Sequence, residues 1–271
     1  MGATPLMSDA DTLSNFDLRE EIKEYWGKRA ETFDTQPGHE IFSDEEHTAW
    51  KNLFEKHLGT GKARRVLDLA SGTGVISHLL DDLDFEVTGM DWAEPMLAKA
   101  REKAQKRGRS IRFLMGDAER TMEPSGSYDA ITCRHLVWTL VDPAAAFAEW
   151  HRVLKPEGRL LVVDGDFVNP GWFARMLAAL SGTVARFGLR PQADTKPADM
   201  METHRSILSR VHFSNGARAD AVVELLRQAG FTQIAVDTNL KAVHRAQRRH
   251  LPFFKGLERA TQHRYAICAR K

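Results

Sequence analysis

From residue 64 the apolar residues gather into short runs bounded by glycine, proline and acids. The runs alternate with stretches whose apolar positions recur every three or four residues. Short runs closed by turn residues read as strands, and the longer spacing reads as helices that bury one face. The pattern predicts strands over 64–70, 85–91, 111–116, 128–134 and 158–165, and helices over 74–83, 93–107 and 143–154. Alternation of this kind builds a parallel sheet with right-handed crossovers and helices on both faces. The helix at 143–154 opens with Pro143 after Asp142 and stops at Lys155-Pro156-Glu157-Gly158. The run Arg159 to Asp164 is apolar enough for a central strand.

The flanks follow other rules. Residues 1–15 are polar and expected to fray. Residues 16–58 read as two helices broken at Pro37-Gly38. The first carries Phe16, Ile22, Tyr25, Trp26 and Phe33 as a stripe; the second carries Trp50, Phe54 and Leu58 at i, i+4, i+8. After 166 the rhythm breaks. Residues 167–212 hold a helix around 171–187, a proline-rich link from Pro191 to Pro197 and another helix. The pattern resumes with a helix at 217–229, a strand at 231–238 and a last strand from His263 to Ala269, expected to run antiparallel. A 167–212 connection exceeds an ordinary loop. Emerging at the carboxyl edge of the sheet, it reads as a lid, with a packed side decoration as the alternative.

Composition narrows the function classes. With 271 residues at 42% hydrophobic, the chain can bury a full core. A formal charge of +1 speaks against a dedicated nucleic-acid binder. Cys133 and Cys268 lie far apart and suggest neither a disulfide framework nor a metal cluster. No stretch has the apolar length of a signal sequence or a membrane span, and a cytoplasmic protein is expected.

The candidate chemistry sits at three strand ends. Val66 to Leu69 run into Ala70-Ser71-Gly72-Thr73-Gly74, a glycine turn that opens a helix. Gly72 and Gly74 let backbone approach a ligand, and a helix N-terminus offers free N–H groups and the positive end of a dipole. Asp91 ends the next strand, 23 positions after Asp68. A carboxylate there can accept both hydroxyls of a ribose; it can equally cap the helix that follows. Gly116-Asp117-Ala118 ends the third strand, where Asp117 can accept from an adenine amino group and the Ala118 N–H can meet a ring nitrogen. Either pair could also be turn chemistry. Three such ends in order describe a nucleotide pocket.

Their order and spacing resemble the class I S-adenosylmethionine (SAM)-dependent methyltransferases. Asp68 to Gly74 resembles that family's first motif, Asp91 the second, Gly116-Asp117-Ala118 the third, and Tyr128-Asp129-Ala130-Ile131 the fourth. Arg152 to Gly158 is close to the turn before its fifth strand. The match covers about 20–166 and is nearest the ubiquinone/menaquinone-biosynthesis type, the small-molecule branch. Ala70 stands where many members carry glycine, which a negative φ would accommodate. Tyr25, Trp26 and Arg29 resemble the N-terminal helix that covers the cofactor's amino-acid end. The resemblance implies SAM as cofactor, S-adenosylhomocysteine as product, and a cofactor set extended by Trp92, Met96 and Arg134. It implies a Rossmann-like, doubly wound, mostly parallel seven-stranded α/β sheet with an antiparallel last strand. The domains expected are an N-terminal helical cap (1–60), a SAM-binding core (61–166), a helical lid insertion (167–212) and the remainder of the sheet (213–271).

Methyl transfer from a sulfonium is an in-line displacement whose leaving group needs no proton, so alignment and exclusion of water matter most. Oxygen or nitrogen of a small molecule is the expected acceptor, ahead of carbon or sulfur. Candidate bases are His135 after the fourth strand, Asp166 after the fifth and His39 after the cap helix. Trp138, Trp172 and His204 are candidate substrate contacts, and Arg134 could also orient an acidic group. Two other classes remain. Ser77 at the third position of Gly72-x-Gly74-x-x makes a near miss to an NAD(P) oxidoreductase. The basic run Lys241 to His250 would suit a non-catalytic RNA- or membrane-associated binder, or simply a solvated helix face. The partners expected are a small-molecule acceptor and, as an open option, a second copy in a homodimer; nucleic acid is not expected.

Overall fold

The computed structural model describes residues 9–169, 198–252, 255–257, 259 and 262–271. Two helices precede the sheet, α1 (Asp9–Phe33) and α2 (Asp44–Leu58). The first starts ahead of the apolar stripe, inside the stretch expected to fray. The α/β part follows as β1 (Arg65–Leu69), α3 (Val75–Asp81), β2 (Glu86–Asp91), α4 (Glu94–Lys106), β3 (Arg112–Met115), β4 (Tyr128–Arg134), α5 (Pro143–Val153) and β5 (Leu154–Asp166). Then come α6 (Ala198–Arg210), α7 (Ala219–Gln228), β6 (Thr232–Asp237), α8 (Lys241–Arg248) and β7 (His263–Arg270).

The seven strands lie in the order β3-β2-β1-β4-β5-β7-β6. The first five are mutually parallel, and β7 pairs antiparallel with both β5 and β6. Successive residues of the central strands face opposite layers. Leu67, Ile131, Leu160 and Val162 pack with Phe147 and Trp150 of α5 on one side. Val66, Ala130, Leu161 and Val163 pack with Trp50, Phe54 and Leu80 on the other. Burial on both faces is why these strands read as unbroken apolar runs.

One boundary differs from the sequence reading. The stop signal Lys155-Pro156-Glu157-Gly158 lies inside β5, which starts at Leu154. The register between β4 and β5 slips between Tyr128 and Ala130, and Glu157 adopts φ +62°. The turn residues make a bulge within the strand rather than a loop before it.

The cap and the last described helix of the insertion pack on each other. Leu18, Ile22 and Tyr25 of α1 bury against Ile207 and Val211 of α6. Arg210 pairs with Glu21 at 2.5 Å. The segment 170–197, with Trp172, Phe173 and Phe187, lies outside the described residues. The basic run falls on α8, where Val243, Ala246 and Gln247 are buried and Arg245 and Arg248 face outward. Among the described residues no helix is long and apolar enough to cross a membrane.

Candidate functional site

A cavity of about 400 Å³ opens at the carboxyl ends of the parallel strands. The glycine turn forms its floor. Gly72 and Gly74 have φ of +55° and +82°. A Cβ on Gly74 would lie 3.1 Å from Ala100 Cβ and from the Phe113 ring, so a side chain there would be crowded as well as strained by the positive φ. Ala70 on the wall has φ +50°, against the negative value expected from the sequence. A left-handed non-glycine residue costs roughly 1–2 kcal/mol. Glycine's greater freedom in the unfolded chain takes back about 0.4–1 kcal/mol of any relief. Ala70→Gly should therefore stabilise the protein slightly, raising Tm by about 1–3 °C. A lower melting temperature for the variant would contradict the strain.

Asp91 serves both readings the sequence left open. Its Oδ1 accepts from the Ala93 N–H at 2.9 Å, the capping contact. Its Oδ2 accepts from the Gly72 N–H at 2.8 Å, which ties β2 to the glycine turn. Burial pushes its pKa up to about 6 against those backbone donors. The Asp68 carboxylate is also buried, accepts from Ser77 Oγ at 2.6 Å and is raised to about 7, mainly by desolvation. Ser77, the near miss to a dinucleotide fingerprint, is thus the partner of Asp68. Trp92, Met96, Asp117 and Ala118 complete this side of the wall.

Arg29 faces the cavity from α1 and is buried. The acids that could have neutralised it are engaged elsewhere: Glu21 with Arg210, and Asp34 with Lys103 and Thr73. Arg29 donates to the neutral Gln36 Oε1 at 2.9 Å, and its guanidinium lies 5.3 Å from the Trp26 ring centroid. Among the described residues Arg29 has no acid partner, and a buried cation of that kind suits an anion. Tyr25 departs from expectation. It stands off the wall, packed against α6 with its hydroxyl buried beside Arg29, and Trp26 lines the cavity instead.

The other half of the cavity is aromatic and basic. His135 sits after β4 at φ +58°, with its N–H bonded to Val163 O. Burial and the nearby Arg264 and Arg134 hold its pKa well below the usual range. His39 stacks on Phe33 at 4.2 Å, and its Nδ1 lies 3.3 Å from Phe33 O. It therefore donates from Nδ1 and turns a bare Nε2 elsewhere; burial and Arg29 lower it to about 3. Trp138 meets Phe167 at 6.2 Å and His204 at 5.6 Å. Arg134 is on the wall, donating to His39 O at 2.8 Å. Asp166 is not. It accepts from the backbone of Val168 and Asn169 and from Asn169 Nδ2, so it shapes a turn rather than facing an acceptor.

Several wall residues were not among the site candidates: Phe33, Glu119, Phe167, Arg259, Gln262 and Arg264. Glu119 accepts from Arg19 and from the Val141 and Asp142 N–H groups, which locks the third strand end to α1 and α5. Arg264 carried a usable signal, a charge at the head of an otherwise apolar strand.

Comparison with known proteins bears on this geometry. A methyltransferase-domain family model matches residues 67–162. The demethylmenaquinone methyltransferase of Thermus thermophilus is 40% identical over 132 residues, 45% of this chain and 60% of that protein. The ubiquinone/menaquinone biosynthesis C-methyltransferase UbiE of Methylobacterium nodulans is 31% identical over 195 residues, 69% of this chain and 74% of its own. The chain belongs to the class I SAM-dependent methyltransferases of the quinone-biosynthesis type. The fold agrees: phosphoethanolamine N-methyltransferase 2 of Haemonchus contortus, solved with SAM, matches at TM-score 0.65 and 15% identity, over 94% of this chain and 60% of that one. The chain spans 60% and 48% of the demethylmenaquinone methyltransferases of Thermus thermophilus and Deinococcus radiodurans. The methyltransferase cofactor is SAM, and the residues present fit it: a buried carboxylate for a ribose, an N–H-rich glycine turn, and the buried Arg29 for an amino-acid carboxylate.

Proposed function

We propose that this methyltransferase transfers a methyl group to oxygen or an activated ring carbon of a small aromatic acceptor. The observation that carries this is the composition of the acceptor half of the cavity. Trp138, Phe167, His135 and His204 supply apolar ring walls, and Arg134, Arg259 and Arg264 supply cations. Among the described residues a protonated amine would find no carboxylate on that wall, because Asp166 is folded into its own turn. This argues against nitrogen, which the sequence left level with oxygen. Carbon gains weight from the relatives named as C-methyltransferases.

SAM supplies the electrophilic methyl. On the protein side, Asp91 would hold the ribose, Asp117 and Ala118 the adenine, and Arg29 the amino-acid carboxylate. Trp26 and Phe33 keep water out. His39 presents a neutral Nε2 that can take an acceptor proton. Its low basicity confines it to a proton already made acidic by the neighbouring arginines. His135 is neutral for the same reason and contributes an apolar edge.

The test is a panel of phenolic and naphtholic acceptors incubated with methyl-labelled SAM, with products identified by mass. S-adenosylhomocysteine should raise Tm and NAD(P) should not. Label recovered only on amines, or stabilisation by NAD(P) alone, would overturn the reading.

A further inference from the structure

The acceptor end of the cavity gathers three arginines, Arg134, Arg259 and Arg264. Arg264, on β7 opposite Gly165 of β5, is 6% exposed and lines the cavity. Its Nη1 donates to Gln247 Oε1 at 3.3 Å, while its Nε is buried with no partner. Arg134 donates to Gly38 O and His39 O, and lies 5.4 Å over the Trp50 ring. Arg259 donates to Pro37 O at 3.0 Å. Among the described residues, neither Arg134 nor Arg264 forms an ion pair with a carboxylate.

Two buried acids act on Arg264 from a distance. Asp164 is committed to the Val137 and Gly165 N–H groups. Glu46 is committed to Phe42 N, Trp50 Nε1 and Gln247 Nε2. Glu46 and Gln247 thus hold the Arg264 fork in place through a neutral amide rather than neutralising it. Burying a guanidinium with only neutral contacts is costly unless a ligand supplies the charge.

We propose that this end of the cavity binds a carboxylate carried by the aromatic acceptor, received by the Nε–Nη2 edge of Arg264, whose buried Nε has no hydrogen-bond partner. Two parallel N–H donors match the two oxygens of a carboxylate. Phe167, whose ring lies 5.8 Å from the same guanidinium, sets the acceptor ring beside it. Arg134 adds field that favours an anion. The cofactor's own carboxylate is a poor candidate for this fork. Arg264 lies on β7, beyond β4 and β5 from the glycine turn of β1, and Arg29 stands on the cofactor side. The proposal rests on the methyl-transfer reading of the cavity and specifies its substrate class.

The experiment uses the full chain saturated with S-adenosylhomocysteine. Calorimetry compares matched pairs: benzoate with benzamide, 1-naphthoate with 1-naphthamide, and 2-hydroxybenzoate with 2-hydroxybenzamide. Each acid should bind about 10- to 100-fold more tightly than its amide. Arg264→Gln should erase the preference, and Arg264→Lys should restore part of it. If Arg264→Gln does not fold, the wild-type pairs alone decide. No acid preference in any pair, including no binding by any member, overturns the proposal. So does an Arg264→Gln protein that loses S-adenosylhomocysteine affinity but keeps the acid preference. Failure of the wild-type protein to bind S-adenosylhomocysteine at all would instead strike the methyl-transfer reading itself.

Discussion

Asp91→Ala should weaken SAM binding by about 2–4 kcal/mol, a loss of roughly 30- to 1000-fold. The size follows from what the carboxylate holds. It is buried at the end of β2, and its two oxygens already fix the Gly72 and Ala93 N–H groups. Accepting the two ribose hydroxyls would use its remaining lone pairs, and hydrogen bonds to a charged group contribute roughly 1.5–3 kcal/mol each. Alanine also releases the Gly72 N–H, so the glycine turn loses its tie to β2. Asp91→Asn separates the two effects, since an amide oxygen can keep one backbone contact without the charge.

The same residue sets a pH dependence. Without ligand its pKa is raised to about 6, because burial penalises the carboxylate. The folded protein therefore loses stability from this group as pH rises through about 4 to 6, where the unfolded chain ionises more readily. Ribose hydroxyls donate to the ionised form and draw the pKa back down. SAM affinity should consequently climb as pH rises toward about 6 and level off above it. Asp91→Asn should lose that slope, while any slope from Asp68 persists. Calorimetry between pH 5 and 8 checks this. Unchanged affinity in Asp91→Ala, or an identical slope in Asp91→Asn, would remove Asp91 from the ribose.

The cofactor side was legible because it is built from local signals. Strand ends, positive-φ glycines and a strand-end acid occupy consecutive elements, so the order of Asp68, Gly72, Asp91 and Asp117 along the chain is also their order around the cavity. Ala70 shows the limit of that reading. A residue type cannot reveal the φ its neighbours impose, and the tight turn holds it at +50°. The acceptor side was less legible because long-range packing assembles it. Arg264 reaches the wall through the antiparallel pairing of β7 with β5, and its orientation depends on Gln247 from α8 and Glu46 from α2. Tyr25 and Arg29 do share a helix face, as their spacing required. Nothing in that spacing foretold that α6 would cover Tyr25 and leave Trp26 to the cavity. Asp166 misled for a related reason. A strand-end acid reads the same whether it faces a ligand or caps its own turn.

The packing of α1 against α6 changes the expectation for the cover. Read separately, the N-terminal cap would serve the cofactor and the insertion would serve the acceptor, with cofactor affinity nearly independent of the latter. The two helices instead share one buried cluster, joined by the Glu21–Arg210 ion pair and by Tyr25 stacked on His204 at 5.5 Å. Trp26, Arg29 and Phe33 line the cavity from the same helix that packs on α6. Deleting residues 1–36 should therefore remove the wall over the cofactor and the support of α6 together. Turnover should fall by about 100-fold or more, since misplacement of about 1 Å already costs that much and the opened cavity admits water. Ile22→Ala probes the joint without touching the cavity. Ile22 is 1% exposed at the centre of the cluster, and truncating such a residue costs about 2–5 kcal/mol. In hydrogen exchange, α1 and residues 198–210 should lose protection together in Ile22→Ala, and S-adenosylhomocysteine should restore both. A truncated protein with full turnover, or exchange in which α6 ignores the Ile22 change, would show that the two helices close independently.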